Sequence, residues 1–167
     1  MEPASFKTKD YLYSYVSAKP PKLELHTHKY YELLYLIDGD ISYLVGDRLY
    51  KAASGDIFIT APGQEHGISF NSEAIYSRHF IQVSQNLIET LPQELRNNFI
   101  NNLCNNCNRI PSEIVKKHNL GSYFMNVRNH LKRDSVMDDF MFRTYSLQLV
   151  AVMNTISESE VISYFEE

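Results

Sequence analysis

Three side chains able to ligate a metal or titrate stand close together in HTHKYYELLYLIDG, residues 26–39: His26, His28 and Glu32. His66 lies further along the chain. Three imidazoles and one carboxylate form a ligand set for Zn, Fe, Mn or Ni. With one coordination position open, such a set also supports catalysis on a bound water or substrate. The same groups can instead hydrogen-bond a hydroxylated organic molecule, with Tyr43 and Phe70 stacking on a sugar or aromatic ring. The plain alternative is decoration of a sheet, since any exposed strand can carry a His-x-His pair. The four positions together are more specific than the pair.

Strands must position these groups. Leu33–Ile37 is apolar and β-prone, Ile41–Val45 follows, and the Asp38-Gly39 pair between them is a strong two-residue hairpin signal. Such a hairpin sets Glu32 opposite Val45, Leu34 opposite Tyr43 and Leu36 opposite Ile41, which turns Glu32 and Tyr43 toward one space. His26, His28 and Glu32 share parity and therefore one face. Gly46-Asp47 turns again, Ser54-Gly55-Asp56 precedes IFIT, and Pro62-Gly63 precedes HGISF, where Ile68 and Phe70 share the face of His66. Residues 75–83, IYSRHFIQV, read as a last strand. Tyr11–Val16 reads as a first one, and residues 1–9 as an arm that can close over a pocket. Strands at this spacing with Gly and Pro between them indicate a β-barrel or sandwich.

From about Ser84 the apolar period becomes helical, with Pro92 restarting the helix. CNNCNRIPSE reads as a linker, Ser112 as a helix start, and Asp134 or Ser135 as the cap of a final helix reaching about Ser157. That helix carries Phe140, Met141, Tyr145, Leu149, Val152, Met153 and Ile156 at helical spacing, and Leu147, Val150 and Ala151 widen its apolar surface. The width suits packing on the barrel and the other helices, or a second face that meets the same helix in another subunit. The chain thus divides into residues 1–84, a β-barrel, and residues 85–167, a helical segment.

The 167 residues suit about one domain, and a net charge of −4 argues against a nucleic-acid-binding face on this segment. No apolar run has the length of a membrane span, no signal-peptide core is present, and two cysteines are no disulfide framework, so a cytoplasmic setting is expected. Cys104-x-x-Cys107 supplies half of a structural zinc site and lies where a helix ends; both read as ordinary residues. Ser54 and Ser69 lack a glycine elbow and a base partner, and no glycine-rich phosphate loop occurs.

His26-x-His28-x3-Glu32-x6-Gly39 resembles the first signature of the cupin superfamily, with Pro20 where that signature has its leading Gly. Gly55, Gly63 and His66 resemble the second, with Ala61-Pro62 displacing its Pro by one and Phe70 replacing its terminal Asn. Such departures are common among cupins that bind without catalysing. Nearly the whole chain looks most like the N-terminal ligand-binding and dimerisation domain of AraC-type transcriptional regulators: the barrel core through the Gly-Asp to Pro-Gly-x-x-His run, YSRHFIQV as its closing strand, then helices that pair two subunits.

This resemblance implies a cupin-type (double-stranded β-helix or jelly-roll) barrel followed by a helical dimerisation segment. It further implies a small-molecule effector in a pocket of His26, His28, Glu32, Tyr43, His66 and Phe70, and no required cofactor. DNA would be met only through a helix-turn-helix domain outside this chain. The rival implication is a metal-dependent cupin enzyme, a dioxygenase or isomerase, with His26, His28, Glu32 and His66 as ligands.

Overall fold

A computed structural model describes residues 4–19, 25–130 and 135–166. The strands are β1 (Ala4–Lys7), β2 (Tyr11–Ala18), β3 (Tyr30–Asp38), β4 (Ile41–Val45), β5 (Arg48–Lys51), β6 (Ile57–Thr60), β7 (His66–Phe70), β8 (Tyr76–Ser84) and β9 (Arg109–Ile110). Helices α1 (Gln85–Glu89), α2 (Ser112–Lys117), α3 (Gly121–Asn129), α4 (Val136–Met153) and α5 (Glu158–Glu166) follow β8, with a wide π-type helix over Phe99–Cys107 before β9. Among the described residues no helix is long and apolar enough to cross a membrane.

Two antiparallel sheets face one another, of order β1-β2-β8-β3-β6-β9 and β5-β4-β7. The larger sheet is buried on both faces. Leu34 and Leu36 of β3 meet Ile41, Tyr43 and Val45 of β4 in a core between the sheets. Tyr31 and Leu33, of opposite parity, join Phe99, Phe124, Phe142 and Leu149 in a second core beneath the helices. Each side of the pleat therefore has a different neighbour, which explains why β3 is apolar almost without interruption.

The Asp38-Gly39 hairpin does not form. β3 pairs with β6 and β8, whereas β4 pairs with β5 and β7. A two-residue hairpin of this composition needs positive φ at both central residues. Gly39 has φ 139°, but Asp38 is not among the residues with positive φ. An irregularity between Leu36 and Asp38 and the close passage of Gly39 along Tyr76, where an added Cβ would meet a ring carbon at 3.1 Å, turn the chain from one sheet to the other. Gly46-Asp47 does close a hairpin, with Val45 opposite Arg48.

CNNCNRIPSE is not a linker. Its first residues end the π-type helix, Asn108 takes a left-handed conformation with φ 53°, and Arg109–Ile110 adds β9 to β6. The buried Asp56 carboxylate holds this return, accepting from Arg109 at 2.9 Å and from the Ser112 backbone N–H at 3.0 Å. A strand from the second half of the chain thus completes the larger sheet. At the other edge β1 pairs with β2, so residues 4–7 are a strand and not an arm; residues 1–3 and Pro20 lie outside the described residues.

Ser135 caps α4, accepting from the Asp138 N–H at 3.2 Å. The face of α4 turned to the core is Phe142, Ser146, Leu149, Val150 and Met153, with Phe142 stacked on Tyr11 at 3.7 Å between ring centroids. Phe140 is not on that face: the helix is rotated to seat Phe142, which leaves Val136, Met137 and Phe140 exposed. Helix α4 ends at Met153, and α5 begins after a turn.

Candidate functional site

His26 lies before β3 in an isolated antiparallel bridge with His66, each backbone N–H donating to the other residue's carbonyl at 3.0 Å. This pair sets the two imidazoles side by side, 4.5 Å between centroids. His28 is held by its own carbonyl, which accepts from the Gly63 N–H at 2.9 Å, so the Pro62-Gly63 turn fixes the approach of the segment. Glu32 enters from β3, opposite Thr60 of β6 and Gln82 of β8, with its side chain on the face between the sheets.

Glu32 is 2% exposed and almost fully engaged. Its Oε2 meets His28 Nε2 at 2.6 Å, His66 Nε2 at 3.1 Å and Gln82 Nε2 at 3.3 Å, and its Oε1 accepts from the Tyr43 hydroxyl at 3.1 Å. Burial disfavours its charge, but the hydrogen bonds and charges of His28 and His66 outweigh that and hold the acid down at about 2. His66 shows the reciprocal effect: burial opposes its protonation, and the Glu32 carboxylate still raises its pKa above the usual value. His66 Nδ1 faces the Gln64 carbonyl oxygen at 2.8 Å, so that nitrogen carries a proton and Nε2 is the atom presented to Glu32. Burial and the Glu32 charge push the Tyr43 phenol well up, keeping it a donor.

His26, His28, Glu32 and His66 can each offer one ligand atom, all within 4.8 Å of one another. Tetrahedral donors at bonds of about 2.1 Å lie roughly 3.4 Å apart, so the widest pair would close by about 1.4 Å to hold a metal. The Gln64 carbonyl behind His66 Nδ1 is the kind of outer hydrogen bond that orients a ligating imidazole. The residues fit a divalent transition metal.

Beside this cluster is a cavity of about 170 Å³ between the sheets, lined by His26, Glu32, Leu34, Tyr43, His66, Gly67, Ile68, Arg78 and Phe80. Tyr43 and Glu32 do share one space, although the hairpin proposed to bring them together is absent; facing sheets achieve what pairing does not. Phe70 is not in this cavity. It lies at the far end of β7, opposite Ile41, edge-on to Tyr76 at 5.2 Å and along an outer groove. Three residues of β7 lie between it and His66, roughly 13 Å along the strand, and it lines a different opening.

Phe80, Arg78 and Gln82 take part where the sequence drew no attention to them. Their even parity on β8 puts them on the inner face, while His79, Ile81 and Val83 face the helices; without the register of β8 on β3 the two faces cannot be told apart. His79 is buried, where a surface or hydrogen-bonded position is the ordinary expectation for a strand histidine and parity with Ile81 and Val83 points to partial burial. Cys104 and Cys107 are free thiols, and burial raises the pKa of both, which leaves them unreactive in character.

Facing sheets with a His/Glu cluster turned into the space between them define a cupin-type binding barrel. Residues 16–106, more than half of the chain, match the AraC-like ligand binding domain, and the chain belongs to that family. Among solved structures it is similar to the plu4264 protein from Photorhabdus luminescens (19% identity, TM-score 0.41, covering 47% of this chain and 66% of that one). It is also similar to AerE from Microcystis aeruginosa (17%, 0.44, 48% and 40%) and to an oxalate decarboxylase variant from Bacillus subtilis (22%, 0.40, 46% and 22%). The chain spans less than two thirds of each of these. No curated protein matches it.

Proposed function

We propose that this chain is the effector-sensing part of an AraC-type transcriptional regulator and that its effector binds in the cavity between the sheets. The observation that carries this reading is the cavity itself: polar atoms of His26, Glu32, Tyr43 and His66 converge at one end, and Leu34, Ile68 and Phe80 wall it. At about 170 Å³ it is smaller than the roughly 300 Å³ where sites for drug-sized ligands begin, so the effector is a small metabolite. No catalytic residue is assigned.

Strand β8 supplies the route from pocket to helices. Arg78 and Phe80 border the cavity, and their neighbour His79 packs among Tyr15, Tyr35 and Phe124 of α3. An effector that favours one setting of β8 shifts the pose of the helices only to the extent that it binds that setting more tightly. In this proposal residues 85–167 dimerise through α4, whose Val136, Met137 and Phe140 are exposed, and pass the change to a DNA-binding domain outside this chain.

Thermal-shift screening of a metabolite library tests the pocket, run on the wild type and on Ile68→Trp, which fills the cavity. Stabilisation by a ligand that is lost in the filled variant supports the proposal. Equal stabilisation of both proteins contradicts it.

The His/Glu cluster supports a second element, a bound divalent metal held by His26, His28, Glu32 and His66. A metal there would act as a Lewis acid toward an oxygen of the bound molecule. Elemental analysis of purified protein and of His66→Ala decides: stoichiometric Zn, Fe, Mn or Ni that is lost in the variant supports the metal and reopens the enzyme reading. A folded, metal-free wild type removes both.

A further inference from the structure

We infer that the effector carries a carboxylate and that Arg78 is the residue that recognises it. This deepens the sensor reading above and rests on the same cavity.

The cavity has two unlike polar ends. At one, the Glu32 carboxylate is occupied by His28, His66, Gln82 and Tyr43. At the other is Arg78, whose guanidinium carbon lies 4.7 Å from the Phe80 ring centroid and 6.0 Å from that of Tyr76. Cation–π contact with these rings holds the guanidinium without using its N–H groups. Its Nη1 is shielded from solvent and meets no hydrogen-bond acceptor. The Tyr76 hydroxyl lies beside Arg78, whose charge and hydrogen bonding both act on it, although neither the hydroxyl nor Nη1 reaches a well-formed hydrogen bond. Among the described residues no carboxylate comes within ion-pair distance of Arg78, although Arg109, Arg143 and Lys117 each have one. Glu32 shares the cavity with Arg78 and forms no ion pair with it.

A buried guanidinium N–H without a well-formed hydrogen bond, on a cation with no carboxylate partner, is costly, which favours a ligand that supplies an acceptor there. A planar cation with a fixed fork suits a carboxylate, which it can bind through two parallel hydrogen bonds. A volume of about 170 Å³ corresponds to roughly six waters at liquid density, which limits the guest to about the size of a three- to six-carbon acid. A hydroxyl or keto oxygen on such an acid would reach the His26, Glu32 and His66 end. A neutral sugar hydroxyl could accept from Arg78 but would leave its charge without a counter-charge.

The test is isothermal titration of the wild type, Arg78→Met and Ile68→Trp. The probes are C2–C6 mono- and dicarboxylates with and without hydroxyl or keto groups, their neutral amides, and uncharged polyols and sugars of equal size. Methionine keeps an apolar stem against Phe80 and removes the charge, and circular dichroism checks the fold. The expected result is saturable binding of at least one carboxylate, no binding of its amide, and a loss of roughly 10- to 100-fold in affinity in Arg78→Met. Neutral polyols that bind the wild type and Arg78→Met alike, but not Ile68→Trp, overturn the carboxylate and leave the pocket. No saturable binding by any probe overturns the carboxylate inference as well. Binding by any class that Ile68→Trp leaves intact overturns the pocket itself.

Discussion

His79 provides a quantitative test of how the larger sheet is joined to the helices. It is 1% exposed, and its Nδ1 accepts from the Tyr13 hydroxyl at 2.6 Å. Burial pushes the Tyr13 phenol up to about 12, so it keeps its proton, and because Arg128 donates to its oxygen that proton is directed at His79 Nδ1. Burial first, then the positive charges of Arg128 and Arg78, lower the His79 pKa from 6.5 to about 4. The folded protein therefore holds this imidazole neutral while the unfolded chain protonates it below about pH 6.5. Stability contributed by the neutral form is complete above that pH and is lost as pH falls toward 4, because the unfolded state binds the extra proton. A lowering from 6.5 to about 4 corresponds to about 3 kcal/mol, or roughly 6–12 °C in melting temperature for a chain of this size. His79→Phe keeps a ring among Tyr15, Tyr35 and Phe124 but cannot titrate. At pH 7 it costs about 1–3 kcal/mol because the Tyr13 hydroxyl loses its acceptor. Urea unfolding at pH 7, 6, 5 and 4 should show the wild type losing about 3 kcal/mol more than the variant, so that the two converge near pH 4. Parallel curves over that range would refute both the burial of a neutral imidazole and the packing inferred around it.

Other perturbations separate parts of the fold and site. Gly55→Ala should destabilise by about 1–3 kcal/mol by chemical denaturation, since Gly55 has φ +94° and an added Cβ would meet the Ser112 Cβ at 2.9 Å. Glu32→Ala leaves His66 and Tyr43 without their acceptor and should cost about 3–5 kcal/mol by the same measurement, with Glu32→Gln costing less because its amide retains part of the bonding. Met137→Glu with Phe140→Glu places charge on an exposed face of α4 and should shift sedimentation from dimer to monomer with the circular dichroism spectrum unchanged; a wild type that is monomeric at micromolar concentration removes the proposed dimer.

Several elements were legible in the sequence because one signal decided each. Alternation in Ile41–Val45 and the Gly46-Asp47 turn gave β4 and β5 directly, and Ser135 marked the start of α4. His26, His28, Glu32 and His66 were recognisable as a set from their residue types, whereas Tyr43 was joined to them through a hairpin that does not form. The misses share a cause: they depend on which strands become neighbours, and local signals do not specify that. Asp38-Gly39 is as suited to a crossover between sheets as to a hairpin, and only the positions of β6 and β8 beside β3 decide the outcome. Phe70 has the inward parity expected of a pocket residue, but the length of β7 carries it past the cavity. Arg78 and Phe80 are indistinguishable from solvent-facing strand residues until the register of β8 is known. In α4 an apolar surface wider than one stripe left the rotation of the helix open, and stacking on Tyr11 selects Phe142 over Phe140.

Convergence of the four groups is tested most directly by the imidazole 1H–15N spectrum of chelator-treated protein, recorded against pH for the wild type and Glu32→Gln. The expected result is that His66 bears its proton on Nδ1, titrates above 6.5 in the wild type, and falls below 6.5 once Glu32 no longer offsets its burial, with His28 resonances moving as well. A His66 titration unchanged by Glu32→Gln would mean that carboxylate and imidazole do not meet between the sheets.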